Sequence, residues 1–117
     1  MSEISREFIR IKDEILSLSK DILEHLNEWE NINFIKFNQD ILSTQSKLST
    51  LGSLSKNRPR NLGKFKNLAN ELISIAIEAK GAKGKGNPVE FAMKIGFLLG
   101  STTRYLTDIN SVLLNIS

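Results

Sequence analysis

Residues 4–22 read Ile4-Ser-Arg-Glu-Phe8-Ile-Arg-Ile11-Lys-Asp-Glu-Ile15-Leu-Ser-Leu18-Ser-Lys-Asp-Ile22. Ile4, Phe8, Ile11, Ile15, Leu18 and Ile22 recur at alternating steps of four and three. That alternation is a heptad seam, the stripe that a helix offers to a partner helix. It continues through His25, Trp29 and Ile32, while charged residues fill the other faces. Ser2 or Ser5 stands where a cap belongs. So clean a seam needs a partner surface, from this chain or from another copy.

A second seam follows in Phe34, Phe37, Ile41, Thr44, Leu48 and Leu51. Asn31 and Asn33 mark the turn between the two helices. A connection that short predicts antiparallel packing. The serine-rich stretch from Ser43 to Ser55 predicts a weak end to the second helix. Gly52 to Arg60 reads as a connection, because Pro59 holds Arg58 outside the helical region. Asn61 then occupies the N-cap position of a third helix over about 62–80. That helix is apolar on most sides after Glu71, which predicts a central place. Lys80-Gly-Ala-Lys-Gly-Lys-Gly-Asn87 predicts a loop, since its glycines penalise a helix. Asn87-Pro88 is a helix start. Gly96 and Gly100 share a face of this fourth helix and predict a close helix approach or a kink near Ser101. Helical spacing resumes with Tyr105, Leu106, Ile109, Val112, Leu113 and Ile116. Strand alternation is missing. The expected fold is an all-α bundle of four to five helices in a single domain, 1–117, with a long N-terminal helical hairpin.

Charge divides the chain. Residues 1–55 carry nine acids and six bases, a net of −3, and residues 56–117 carry ten bases and four acids, a net of +6. Eight of those bases are Lys56, Arg58, Arg60, Lys64, Lys66, Lys80, Lys83 and Lys85, opposed locally only by Glu71 and Glu78. A basic excess of this kind attracts phosphate polyanions. The chain has no cysteine, which excludes disulfides and thiolate metal sites and fits a cytoplasmic location. The acidic, amphipathic beginning is not a secretory signal, and no apolar run is long enough to span a bilayer. A membrane partner is not expected.

Each candidate site has a plain structural explanation beside it. The Gly81–Gly86 stretch fails as a nucleotide-binding loop, because Lys85 is followed by Gly86 rather than Ser or Thr and a helix precedes it. Its glycines, lysines and the helix start behind it could still meet phosphate, and a solvated loop explains them equally well. Lys56, Arg58, Arg60, Lys64 and Lys66 make the stronger candidate. Guanidinium groups fork onto phosphate oxygens, and bases at a helix start oppose the dipole, which stability alone would not select. His25 falls on the seam and reads as a core-edge histidine ahead of a metal ligand. Trp29, Phe34 and Phe37 fit core packing better than base stacking. Arg104 beside Tyr105 could hold a phosphate and stack on a base, although a tyrosine at the core rim accounts for it more simply. No side chains pair as a nucleophile with its base. An enzyme, a cofactor and a metal are therefore not expected.

Arg60-Asn61-Leu62, Asn70-Glu71-Leu72 and Ile75-Ala76, with the basic stretch from Ala82 leading to Val89-Glu-Phe91, form a pattern over roughly residues 57–95. A small, helical, basic chain with this pattern resembles the small subunits of type III CRISPR effector complexes, the Csm and Cmr type. The resemblance implies a non-catalytic subunit, stacked in several copies, that holds the guide–target duplex or target strand through Arg58, Arg60, Lys64 and Lys66. The sequence thus leads to a helical subunit that binds RNA or single-stranded nucleic acid within a larger ribonucleoprotein assembly, alongside other protein subunits or further copies of itself. The alternative is a protein-interaction or self-association module in which the first helix is the working part.

Overall fold

The computed structural model describes residues 3–117. It contains α1 (Glu3–Asn27), α2 (Phe34–Leu54), α3 (Leu62–Gly84) and α4 (Pro88–Asn115), with one 3-10 turn at Trp29–Asn31. The described residues form no strand, and the all-α bundle expected from periodicity is the observed one, with four helices. Helices of 21 to 28 residues make it long, with extents of 54 × 22 × 17 Å. Its radius of gyration, 15.5 Å, exceeds the roughly 13 Å of a round domain of this length.

The second seam is entirely buried: Phe34, Phe37, Ile41, Thr44, Leu48 and Leu51 all face the core. The first seam drifts. Ile11, Ile15, Ser19, Ile22 and Leu26 are the buried residues of α1, so Ser19 takes the place expected of Leu18, and Ile4 is exposed. A straight α-helix turns about 20° away from a strict heptad per repeat, which moves the buried line along its surface. Of the two capping candidates, Ser2 lies outside the described residues and Ser5 lies inside α1. Trp29 leaves the seam, sits half-exposed in the 3-10 turn and stacks on Phe91 at 6.3 Å.

Three further expectations are corrected. The serine-rich half of α2 remains helical to Leu54. Ser49, Thr50 and Ser53 lie in that helix, and the hydroxyls of Thr50 and Ser53 donate to carbonyls one turn back, so these polar groups are satisfied within it. The Lys80–Gly86 stretch is mostly helix, because α3 runs on to Gly84, and only Lys85–Asn87 connect it to α4. Each glycine costs a helix about 1 kcal/mol. Burial of Ala79 and Ala82 and a hydrogen bond from Lys83 Nζ to the Glu30 carbonyl (2.8 Å) work against that cost. Gly86, at φ 69°, makes the turn. Finally, α4 continues through Gly96, Gly100 and Ser101 as one helix.

The helices run up, down, up, down. α1 packs on α2, α2 on α3 and α3 on α4, whereas α1 and α4 barely meet. A Cβ at Gly52 would lie 2.4 Å from Leu62 Cδ1, so this glycine lets the end of α2 approach the start of α3. At that same end Ser117 O accepts from Lys56 N (2.6 Å), and Asn57 Oδ1 accepts from Ser117 N (2.8 Å). In the middle, Tyr105 is fully buried; its ring edge meets Phe65 at 6.2 Å and its hydroxyl donates to Gln45 Oε1 at 3.1 Å. Burial pushes the Tyr105 phenol well above its usual range, so it remains a donor. α3 lies between α2 and α4 as its composition suggested, yet Ile77 points outward at 59% exposure.

Replacing Ile15 by Ala removes a fully buried side chain, and a loss of about 2–5 kcal/mol is expected in urea unfolding. The same α1–α2 contact carries a pH dependence. Glu14 accepts from Lys47 Nζ at 2.6 Å and pairs with Arg10. The Lys47 hydrogen bond, opposed by partial desolvation and reinforced by Arg10, holds the Glu14 carboxyl below the usual range. A depressed carboxyl stabilises the fold above its unfolded pKa, and the contribution disappears as pH falls through the folded value. The urea midpoint should therefore drop between about pH 5 and pH 3, and Lys47→Met should flatten that drop.

Candidate nucleic-acid interface

The α2–α3 connection and the first turn of α3 bring Lys56, Arg58, Arg60, Lys64 and Lys66 to one pole of the bundle, all exposed. Pro59 and Asn61 shape the connection here. Asn61 sits at the N-cap position, but its side chain makes no capping bond and the first turn holds no acid. The other two internal starts differ: Asn33 caps α2 through Lys36 N at 3.0 Å, and Asn87 caps α4 through Glu90 N at 3.1 Å. The start of α3 thus keeps unclaimed amide donors beneath a set of bases.

None of the five bases makes an ion pair among the described residues. Elsewhere in the described residues four Lys or Arg side chains are paired. Arg10 lies between Glu7 and Glu14, Lys47 meets Glu14, Lys36 reaches Asp40 at 2.9 Å, and Lys94 reaches Glu78 at 3.0 Å. In residues 1–55 Arg10, Lys36 and Lys47 are paired, and among the described residues no base of the pole is. A cleft of about 170 Å³ opens between α3 and α4 there, lined by Arg60, Asn61, Lys64 and Phe65 and closed on the far side by Asp108 and Val112. Lys64 leans over the Phe65 ring, with Nζ 5.4 Å from its centroid. Flexible bases around a shallow cleft suit a chain of phosphates better than a small enclosed ligand.

The other predicted bases lie elsewhere. Lys80, Lys83 and Lys85 are at the opposite end of α3, roughly 20–30 Å from Lys64 and Lys66 along the helix. Lys83 is not free for a phosphate, since its ammonium bonds Glu30 O and sits 5.6 Å from the Phe91 ring centroid. Arg104 is on the outward face of α4, and its neighbour Tyr105 is buried, so the two cannot together stack a base and hold its phosphate.

His25 is part of a feature the sequence did not reveal. Its Nε2 lies 2.9 Å from Asp40 Oδ2, and Lys36 Nζ reaches Asp40 Oδ1 at 2.9 Å. Asp40 is only 2% exposed, so a buried carboxylate on α2 is answered by His25 from α1 and by Lys36 from the preceding turn of its own helix. The signal available was Asp40 itself, an acid one position before seam residue Ile41. The pair forms an interhelical tie with no nucleophile beside it. Among the described residues no group of three His, Cys, Asp or Glu side chains is placed to hold a metal ion, and no helix is long and apolar enough to cross a membrane. Replacing His25 by Ala leaves one side of the buried carboxylate unpaired and should cost about 1–3 kcal/mol in urea unfolding, with the charge of the α3 pole untouched.

Compared with family models, curated proteins and solved structures, the chain matches none of them.

Proposed function

We propose that this protein is a non-catalytic binder of RNA or single-stranded nucleic acid, gripping the phosphate backbone with the pole at the start of α3. The observation that carries this reading is the convergence of Lys56, Arg58, Arg60, Lys64 and Lys66, unpaired, around an uncapped helix start. Phosphate oxygens accept from guanidinium forks, from ammonium groups and from free helix amides alike. Such contacts position a strand without reading its bases. On the resemblance seen in residues 57–95, the strand would be guide or target RNA and the protein a subunit of a type III effector assembly. In the alternative reading, a self-association module, α1 would work through its exposed line of Ile9, Leu16 and Leu23, because the seam of Ile11, Ile15 and Ile22 is buried within the chain.

Fluorescence anisotropy with mixed-sequence RNA and single-stranded DNA, titrated in salt, tests the reading. The triple variant Arg58→Glu, Arg60→Glu, Lys64→Glu should lose affinity for every sequence alike, and its slope of log affinity against log salt should shrink by up to about three phosphate contacts. Replacing Lys80 and Lys85 by Ser should change the slope less, since they lie at the far end of α3. Equal affinity and slope in wild type and triple variant would sink the proposal.

A further inference from the structure

The outward face of α4 is an apolar surface with no cover inside the chain, as is a line of Ile9, Leu16 and Leu23 on α1. Val89, Met93 and Phe97 are 78%, 53% and 54% exposed. Gly96 and Gly100 follow on that face, and a Cβ built on either meets nothing within 4 Å. The close approach that these glycines permit is therefore not used by any neighbour in the chain. One charge of each sign borders the strip, Glu90 and Arg104, and Arg104 makes no ion pair among the described residues. Lys94, at the edge toward α3, is already held by Glu78 and lies over the Phe97 ring, 5.9 Å from its centroid.

The spacing of these residues is self-complementary. Glu90, Phe97 and Arg104 are seven apart, so they lie on one line of the helix, with Met93 and Gly100 on the line beside it. A two-fold axis between positions 97 and 100 of an antiparallel pair of α4 helices sets Phe97 of each copy over Gly100 of the other. It also brings each Glu90 within one helical turn of the other copy's Arg104. Large meets absent side chain twice, and acid meets base twice, as an isologous interface requires. The start of α3 is basic and would repel its own copy, and the exposed line of Ile9, Leu16 and Leu23 on α1 has no glycine to seat a large side chain.

We propose that the protein forms a closed dimer through the outward face of α4, antiparallel and two-fold, with Phe97 seated on the partner's Gly100 and Glu90 paired with the partner's Arg104. The partner is a second copy of this chain. The inference does not depend on the phosphate-binding reading, because the α4 face and the α3 pole share no residue.

Sedimentation equilibrium of the full chain over a range of concentrations gives the first test. A dimer is expected; a monomer at roughly 100-fold the concentration of the binding assays, or an open-ended series of larger species, overturns the proposal. Gly100→Leu fills the space that Phe97 needs and should weaken the dimer by roughly tenfold or more, while circular dichroism shows the helices retained. Arg104→Glu should weaken it too, and adding Glu90→Arg should restore it; failure of the swap to restore association counts against the pairing. Orientation is tested by cysteine, since the chain has none. Under mild oxidation Gly100→Cys should cross-link to its copy, whereas Val89→Cys, roughly 28 Å from its copy in this arrangement, should not. Equal cross-linking at both positions would indicate a parallel pair and refute the antiparallel one.

Discussion

The fold depends on how its two hairpins are joined. α1 and α4 barely touch, so the ring of helices is closed by α2 against α3 and by what α4 sends across the middle. Tyr105 is the centre of that junction. Its ring meets Phe65 of α3 and its hydroxyl reaches Gln45 of α2, so one buried side chain fixes both hairpins in register. A buried phenol without a partner would cost more than it contributes. Gln45 supplies the partner, and Phe37, Ile41, Leu72, Leu98 and Ile109 belong to the same buried core.

The same antiparallel register separates the charges. Because the chain reverses at each short connection, the α2–α3 connection and the end of α4 share one pole, and the turns at Trp29–Asn31 and Lys85–Asn87 share the other. The long, basic stretch of sequence is thereby cut in two along α3. Its first part collects at one pole, where Asp108 lines the cleft but no base is ion-paired among the described residues. Its second part is drawn into the fold through Lys83, which fastens α3 to the first hairpin. Net charge along the sequence suggested one basic surface; the packing makes a smaller and more concentrated one.

How much of this could be read from the sequence follows from the physics of each signal. The seam in α2 was legible residue by residue, because apolar periodicity reports burial directly and α2 is packed along its whole length. The seam of α1 was legible in kind but not in phase, since a heptad template cannot follow a straight helix over 25 residues. The loop expected at Gly81 and Gly84 was misplaced, because glycine propensity is a local term and the buried alanines and Lys83 that oppose it belong to the tertiary structure. The basic pole was visible as a run of residues in one connection. The tie between His25 and Asp40 was not, because it joins positions 15 apart on different helices. The bare face of α4 was visible only as two glycines, and their significance depends on knowing that nothing inside the chain approaches them.

The central claim is that the start of α3 is the surface that meets phosphate. An amide chemical-shift titration of the full chain with a short mixed-sequence RNA tests it most directly. The account predicts that the largest shifts fall on residues 56–66, including the unclaimed amides of Leu62 and Gly63, with little change along α1 and at Lys80–Lys85. Shifts centred on α1 or on the far end of α3, or no shifts at RNA concentrations that saturate the anisotropy signal, would contradict it.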